Sequence, residues 1–280
     1  MSLTSFLKNN EEVRILLDQT FKKPEVSLDV ERLAEPQTRN YALIGTAFDY
    51  VLRFWLEHEY DGVESKPWVA HTGFTLAQSL QMGSEIEDDV SFDEVMAEAE
   101  GHHQDYLRTG EMTDELLAST LDLARFDWVY RSGQAPENLS HVADGDITDL
   151  RRLYEIIPHD EWQGADRVLL NPTFGSASKL VSGADADVVL DETLIDIKTV
   201  KDPSLKPDYW RQLVGYAVLA DLAHDELAEM PRFSEIGIYF SRHGTLWSTS
   251  TADIYSHEKY EQFKTWFQEQ AQEHFEADTS

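Results

Sequence analysis

The chain has 280 residues, of which 53 are Asp or Glu and 23 are Lys or Arg, and its formal net charge is −30. It has no cysteine, which excludes disulfides, thiolate zinc sites, cysteine nucleophiles and thiolate-bound iron–sulfur clusters. No apolar run approaches the roughly 18 residues of a membrane span, and the N-terminus lacks the pattern of a signal peptide, so we expect a soluble, cytoplasmic protein. The dispersed acidic excess suggests a halophilic protein, because screening over about 3 Å at 1 M salt removes self-repulsion. A protein that coats an anion-binding partner is a second interpretation.

The first half of the chain has the hydrophobic spacing of helices. Apolar residues from Tyr41 to His58 fall on one broad stripe, which predicts a helix. A loop that includes Gly73 follows. Residues from about Thr75 to Arg131 are predicted to be helical in several pieces, and a further helix is predicted over Asp149 to Ile156.

In the second half the pattern changes to short strands between helices. The predicted elements are a strand over Arg167–Leu170, a tight hairpin of Ala186–Leu190 and Leu194–Val200, a helix capped by Asp208 and running to about Ala223, a second hairpin of Glu235–Ser241 and Thr245–Thr249, and a helix capped by Ser256 that runs from His257 to about Phe275. This order of elements predicts an α/β fold with a mixed sheet flanked by helices.

Charged residues occur inside the apolar first hairpin. Alternate residues of a strand share a face, so Asp196 and Lys198 point to the same side. A hairpin folded near Glu192 places Asp187 opposite roughly residues 196 to 198, which predicts that the two carboxylates and the amine converge. Asp185 is an alternative to Asp187, but Asp187 lies closer to the level of Asp196 across the turn.

This group of side chains suits phosphodiester hydrolysis. Two carboxylates bind a hard cation such as Mg²⁺ through oxygen, and the metal acidifies water and polarises the phosphoryl oxygen. Lys198 would position or deprotonate the nucleophile, or offset charge on the phosphorus. The alternative from the same residues is a buried Asp–Lys ion pair that only fixes the register of the hairpin.

Three motifs together resemble the PD-(D/E)XK nuclease superfamily, particularly its RecB-type and lambda-exonuclease-like branch. The first is Asp187 followed by Asp196-Ile197-Lys198, which matches the metal-binding hairpin of that family. The second is the pair Gln212 and Tyr216 on the next helix, which is similar to the family's Gln-X-X-X-Tyr element; a spacing of four puts both residues on one helical face.

The third motif is in the early helix, where Gly45 is followed four residues later by Asp49. Relatives have a metal-contacting histidine at the second position, so Asp49 is a departure that still offers a ligand oxygen. The resemblance covers about residues 41–58 and 165–250. It implies a single restriction-endonuclease-like domain over residues 1–280, with a helical insertion at about 60–160.

The resemblance also implies roles for individual residues. Mg²⁺ or Mn²⁺ would be the cofactor and DNA the expected substrate. The implied metal ligands are Asp49, Asp187, Asp196 and the Ile197 carbonyl, and the implied catalytic residues are Asp187, Asp196, Lys198, Gln212 and Tyr216.

The net charge is an objection to a nucleic-acid partner, because nucleic acid favours basic faces. A local basic island answers it, and its predicted members are Lys198, Lys201, Lys206, Arg211 and, after the fourth strand, Arg242. Two other functions remain open at this point. One is a catalytically inactive nucleic-acid-binding or assembly subunit on the same fold, and the other is an acidic protein-interaction domain that binds no metal.

Overall fold

The computed structural model describes residues 2–26, 28–82, 91–224, 226–227, 230–255 and 257–279. The helices are α1 (Leu3–Asn9), α2 (Glu11–Thr20), α3 (Tyr41–Glu59), α4 (Val69–Ser79), α5 (Phe92–Thr109), α6 (Asp114–Ser132), α7 (Asp144–Glu155), α8 (His159–Trp162), α9 (Gly175–Leu180), α10 (Pro207–Ala223) and α11 (His257–Thr279). The strands are β1 (Glu64–Ser65), β2 (Val168–Leu170), β3 (Val188–Leu190), β4 (Thr193–Lys198), β5 (Glu235–Phe240) and β6 (Thr245–Ser250).

The six strands form one mixed sheet in the order of the sequence. The pairs β1/β2 and β4/β5 are parallel, and the other three pairs are antiparallel. Helix α10 connects the parallel strands β4 and β5, as such a crossover requires. The prediction of an α/β fold with a mixed sheet flanked by helices is therefore confirmed, and so are both hairpins.

Helices cover both faces of the sheet, each over its own apolar core. On one face, α3 and the helices α4 to α7 pack against side chains such as Ile195 and Ile197. On the other face, α1, α2, α9, α10 and α11 pack against side chains such as Leu194 and Ile236. Strand β4 thus contributes alternate residues to the two cores, as its period of two requires. Within the described residues, no helix combines the length and the apolar character needed to cross a membrane.

The observed helices differ from the predicted ones in several places. Helices α1, α2, α8 and α9 have no predicted counterpart, and α7 begins at Asp144 rather than at Asp149. Gly73 lies inside α4 and not in a loop. A Cβ at this position would come within 1.8 Å of the Phe126 carbonyl oxygen, so a glycine is needed for α4 and α6 to approach so closely. Asp208 lies within the first turn of α10, whose N-cap is Lys206. The predicted cap Ser256 lies outside the described residues.

Candidate metal centre

The sheet divides between β3 and β4. The β3–β4 ladder ends at the pair Val188 and Ile195, whereas β4 stays paired with β5 as far as Lys198. The chain before β3 instead stays with the chain after β2, since the Asn171 amide donates to the Asp187 carbonyl over 3.0 Å and residues 173 and 185 form an isolated bridge. We call this opening, formed by residues 185–188 and 195–198, the fork.

Asp187 lies where the fork opens. Its Oδ2 accepts a hydrogen bond from the Ile197 amide over 2.7 Å, so its side chain replaces the ladder bond that a continuing β3 would make. Besides burial, the charge of Asp187 raises the pKa of Asp196, so the two carboxylates lie close enough to repel each other. That they share one face of the sheet stays a prediction.

Asp196 is buried, with 1% of its surface exposed. Its Oδ2 lies 2.6 Å from the Lys198 Nζ, and this ion pair compensates the buried carboxylate. A buried carboxylate needs such a partner. A metal ion bound at Asp196 would therefore share the carboxylate with Lys198.

A chain of hydrogen bonds runs from Lys198 to helix α10. The Lys198 Nζ donates to Gln212 Oε1 over 3.1 Å, and Gln212 Nε2 donates to the Tyr216 hydroxyl over 2.9 Å. The Tyr216 ring stacks on Phe174, with 5.6 Å between the ring centroids. The structure thus joins Lys198, Gln212 and Tyr216, and this network holds the amine beside Asp196.

Asp49 approaches the fork from helix α3. The helix passes close to the end of β4, because a Cβ on Gly45 would lie 3.9 Å from the Thr199 Cβ. Burial raises the pKa of the Asp49 carboxyl well above its usual range, and the charge of Asp187 raises it further. Among the described residues, however, no three acidic or histidine side chains lie close enough to form a metal cage. That Asp49 is a metal ligand stays a prediction.

The charges of Asp196 and Lys198 affect each other strongly. Burial raises the pKa of Asp196 to about 6, with Lys198 lowering it and Asp187 raising it. Burial by itself would lower the pKa of the Lys198 ammonium, but the carboxylates of Asp196 and Asp187 outweigh burial and raise that pKa. Lys198 is therefore a cation at neutral pH, which favours charge neutralisation over proton abstraction as its role.

Three site residues have no counterpart in the sequence motifs: Arg53, Asp127 and Arg131. Asp127 is buried and accepts a hydrogen bond from the Tyr50 hydroxyl over 2.5 Å, and Arg131 lies 3.6 Å from it. The Arg53 Nε donates to the Asp49 carbonyl over 3.2 Å, and its guanidinium lies over the Tyr50 ring, 4.2 Å from the centroid. Asp127 and Arg131 belong to α6, so this helix of the predicted insertion forms a wall of the site. The one available signal was an acidic residue within the apolar run of α6.

Besides Lys198, which pairs with Asp196, two further members of the predicted basic island are neutralised. Arg211 pairs with Asp18 at 2.6 Å and with Asp208 at 2.9 Å. Arg242 is buried and binds both oxygens of Asp149 at 2.8 and 3.1 Å, so the prediction that it adds to the island is wrong. A buried guanidinium requires such a partner, and this one fixes α7 to the end of β5.

The donor atoms around the fork are of the chemical kind that a hard divalent cation prefers. Asp187 and Asp196 supply carboxylate oxygens, which Mg²⁺ prefers. The amide and carbonyl of one strand residue point to the same edge. Because the Ile197 amide meets Asp187, the Ile197 carbonyl also faces the fork. The fork therefore offers two carboxylates and one carbonyl.

No protein-family model matches the chain, and neither the curated proteins nor the solved structures contain a match.

Proposed function

We propose that this protein is a divalent-metal-dependent nuclease of the PD-(D/E)XK type, with a restriction-endonuclease-like fold and DNA as its substrate. The observation that supports it best is the fork itself. Asp187 accepts a hydrogen bond from the Ile197 amide where the sheet opens, and, besides burial, its charge raises the pKa of the nearby Asp196. The amine of Lys198 lies 2.6 Å from Asp196. A purely structural strand would close this opening with ladder bonds.

Each side chain has a role in this proposal. Asp187, Asp196 and the Ile197 carbonyl would hold Mg²⁺ or Mn²⁺, with Asp49 as a further ligand. When bound, the cation supplies polarisation of the phosphodiester and a lower pKa for the attacking water. Lys198 offsets the charge that develops on the phosphoryl oxygens. Gln212 and Tyr216 orient the Lys198 amine and line the approach of the substrate.

The second candidate is a nucleic-acid-binding or assembly subunit on the same fold that does not catalyse. It is favoured by the lack, among the residues described, of a third acidic or histidine group beside Asp187 and Asp196. In that case the Asp196–Lys198 pair only stabilises the fork.

Replacing Lys198 by Met separates the two candidates, because it keeps most of the apolar stem and removes the charge. For a nuclease, we expect turnover on linear, circular and single-stranded DNA with Mg²⁺ to fall roughly 100-fold or more, the scale of one such electrostatic group. Metal affinity should persist or improve. For a structural pair, the main effect is a loss of several kcal/mol of stability, about 3–5 kcal/mol for a broken buried pair.

Lys264 provides the matched control. Its Nζ lies 2.7 Å from Asp221 Oδ2 in an ion pair that is also partly buried but does not belong to the fork. Lys264→Met should lose some stability and keep the full cleavage rate. A folded Lys198→Met protein that cleaves as fast as the wild type would contradict the proposed mechanism. Wild-type protein that cleaves no substrate with either metal would favour the second candidate.

A further inference from the structure

An open groove lies between the start of α3 and the end of α6, with a volume of about 520 Å³. We call it the α3–α6 groove. The lining residues that matter below are Arg39, Tyr41, Leu43, Asp127, Trp128 and Arg131. No residue that lines the groove belongs to the three motifs that resemble the nuclease family. One wall of the groove comes from the predicted insertion.

Two exposed aromatic side chains line the α3–α6 groove. Trp128 is 55% exposed and Tyr41 is 44% exposed. No aromatic pair among the described residues includes Trp128, and more than half of the surface of its side chain is exposed to solvent. The Tyr41 hydroxyl accepts from Lys201 Nζ over 2.8 Å, and this ammonium also lies 4.4 Å from the ring centroid. An exposed indole beside a cation-bound tyrosine is a surface on which a flat ligand can stack.

Cations accompany these rings, although the chain has a net charge of −30. Arg39 and Arg131 are exposed at the groove, and Lys201 lies beside Tyr41. Two acidic residues also line the groove, Asp127 and Glu137. Asp127 is buried and engaged by Tyr50 and Arg131, whereas Glu137 is exposed. The three cations Arg39, Arg131 and Lys201 against these two carboxylates leave a formal charge of +1 at the groove.

The α3–α6 groove lies near the fork. Desolvation lowers the pKa of the Arg131 guanidinium, but the charge of Asp127, followed by those of Asp185, Asp49 and Asp187, outweighs it and raises that pKa, so Arg131 lies near these carboxylates. Thr46 lines the groove and is three residues before Asp49 on α3. A chain molecule bound in the groove would therefore lie close to the carboxylates of the fork.

We propose that the α3–α6 groove binds single-stranded nucleic acid, with a base stacked on Trp128 and phosphates contacted by Arg39 and Arg131. This inference rests on the proposed function, because it supplies the substrate class for the same site. Stacking on an aromatic side chain requires an unpaired base, since paired bases stack on one another within a duplex. Aromatic rings combined with cations are the usual means of binding single strands without sequence preference.

The test measures binding of a labelled single-stranded DNA oligonucleotide by fluorescence anisotropy, without divalent metal so that no cleavage occurs. Trp128→Ala should weaken binding roughly 5- to 140-fold, the effect of removing one stacked base. Tyr130→Ala is the matched control, because Tyr130 is 54% exposed on the same helix but does not line the groove. It should bind as the wild type does. The same oligonucleotide as RNA, run in parallel, distinguishes the two sources of a single strand.

Arg39→Gln tests the phosphate contacts separately. For a single strand, each phosphate contact contributes about 0.7 to the slope of log affinity against log salt, so this variant should reduce the slope by about that amount. Duplex of the same sequence should bind more weakly and should not respond to Trp128→Ala.

Several results would overturn the inference. These are wild-type protein that binds neither single strand, equal losses for Trp128→Ala and Tyr130→Ala, or equal responses of single strand and duplex. If the protein cleaves DNA but Trp128→Ala binds normally, the groove inference fails and the nuclease proposal stands. If Trp128→Ala loses binding but no substrate is cleaved, the groove inference stands and the protein is a binder.

Discussion

The pKa of Asp196 responds to its burial and to two neighbouring charges. Lys198 lowers it, Asp187 raises it, and burial has the largest effect. The resulting pKa of about 6 means that burial and the charge of Asp187 together outweigh the attraction of Lys198. A carboxyl whose pKa is higher in the folded chain than in the unfolded chain binds its proton more tightly when folded. Ionised Asp196 therefore destabilises the metal-free protein.

Replacing Asp196 by Asn should reveal this cost through the pH dependence of the melting temperature. The stability that protonated Asp196 contributes is fully present below its unfolded pKa of about 4, and it is lost as the pH rises through about 6. Asp196→Asn keeps a neutral side chain throughout. Without metal, the variant should gain on the wild type as the pH rises from about 4 to above 6, with thermal unfolding as the measurement.

Magnesium should reverse that order at neutral pH. A ligand that binds only the folded protein stabilises it by mass action, by about 2.7 kcal/mol at 100 times its Kd, so Mg²⁺ should raise the melting temperature of the wild type and not of Asp196→Asn. Asp105→Asn is a control, because Asp105 is an exposed partner of Arg108. In the metal-free pH series, a difference in melting temperature between Asp196→Asn and wild type that does not change with pH would contradict the raised pKa of Asp196.

At the scale of elements, the approach of α4 to α6 determines where the wall of the site lies. Gly73 allows this approach, since its Cβ position overlaps the Phe126 carbonyl. Residues 127 to 131 of α6 then form the groove and the wall beside Asp49. The position of Arg131 thus depends on a glycine of another helix.

Gly73→Ala should destabilise the protein by at least about 1–3 kcal/mol, the usual effect of overpacking. Gly101→Ala is the matched control, because Gly101 is a helical residue of α5 with no atom within 4 Å of an added Cβ. That variant should gain about 0.5–1 kcal/mol, since alanine favours the helix. Urea unfolding of the two variants measures both changes. A Gly73→Ala protein as stable as the wild type would show that α4 and α6 separate at little cost.

The sequence predicts elements whose signals are local. Period-two spacing places Asp196 and Lys198 on one face, and the short turn places Asp187 opposite them. The fork is not predictable in this way, because it depends on how long each neighbour stays paired. Asp127 and Arg131 were missed for a related reason. They reach the site only because α6 packs on α3, and these two helices are far apart in the chain.

At the scale of the whole molecule, the net charge of −30 is the dominant feature. Self-repulsion of this size disfavours the compact state at low salt, and screening relieves it. The exposed aromatic residues and arginines of the α3–α6 groove are consistent with ligand binding at high salt concentration. Stacking on a ring needs no broad basic face, and counterion release contributes little to binding in strong salt.

We expect the melting temperature at neutral pH to rise as KCl increases from about 0.1 M, where charges interact over about 10 Å, to above 1 M, where the range is about 3 Å. The increase should shrink as the pH falls toward the isoelectric point near 4.5, because the net charge disappears there. Differential scanning calorimetry at the two pH values checks this. An equal effect of salt at both would assign it to something other than self-repulsion.

The hydrogen bond from the Ile197 amide to Asp187 has a consequence for observing the site. This amide lies at the open end of the hairpin, so the carboxylate of Asp187 protects it from solvent in place of a strand. Any change in the bonding of that carboxylate alters the exchange of a single backbone hydrogen with deuterium. The exchange rate of the Ile197 amide hydrogen therefore reports by NMR whether the Asp187 carboxylate has bound a ligand, and the ligand needs no label.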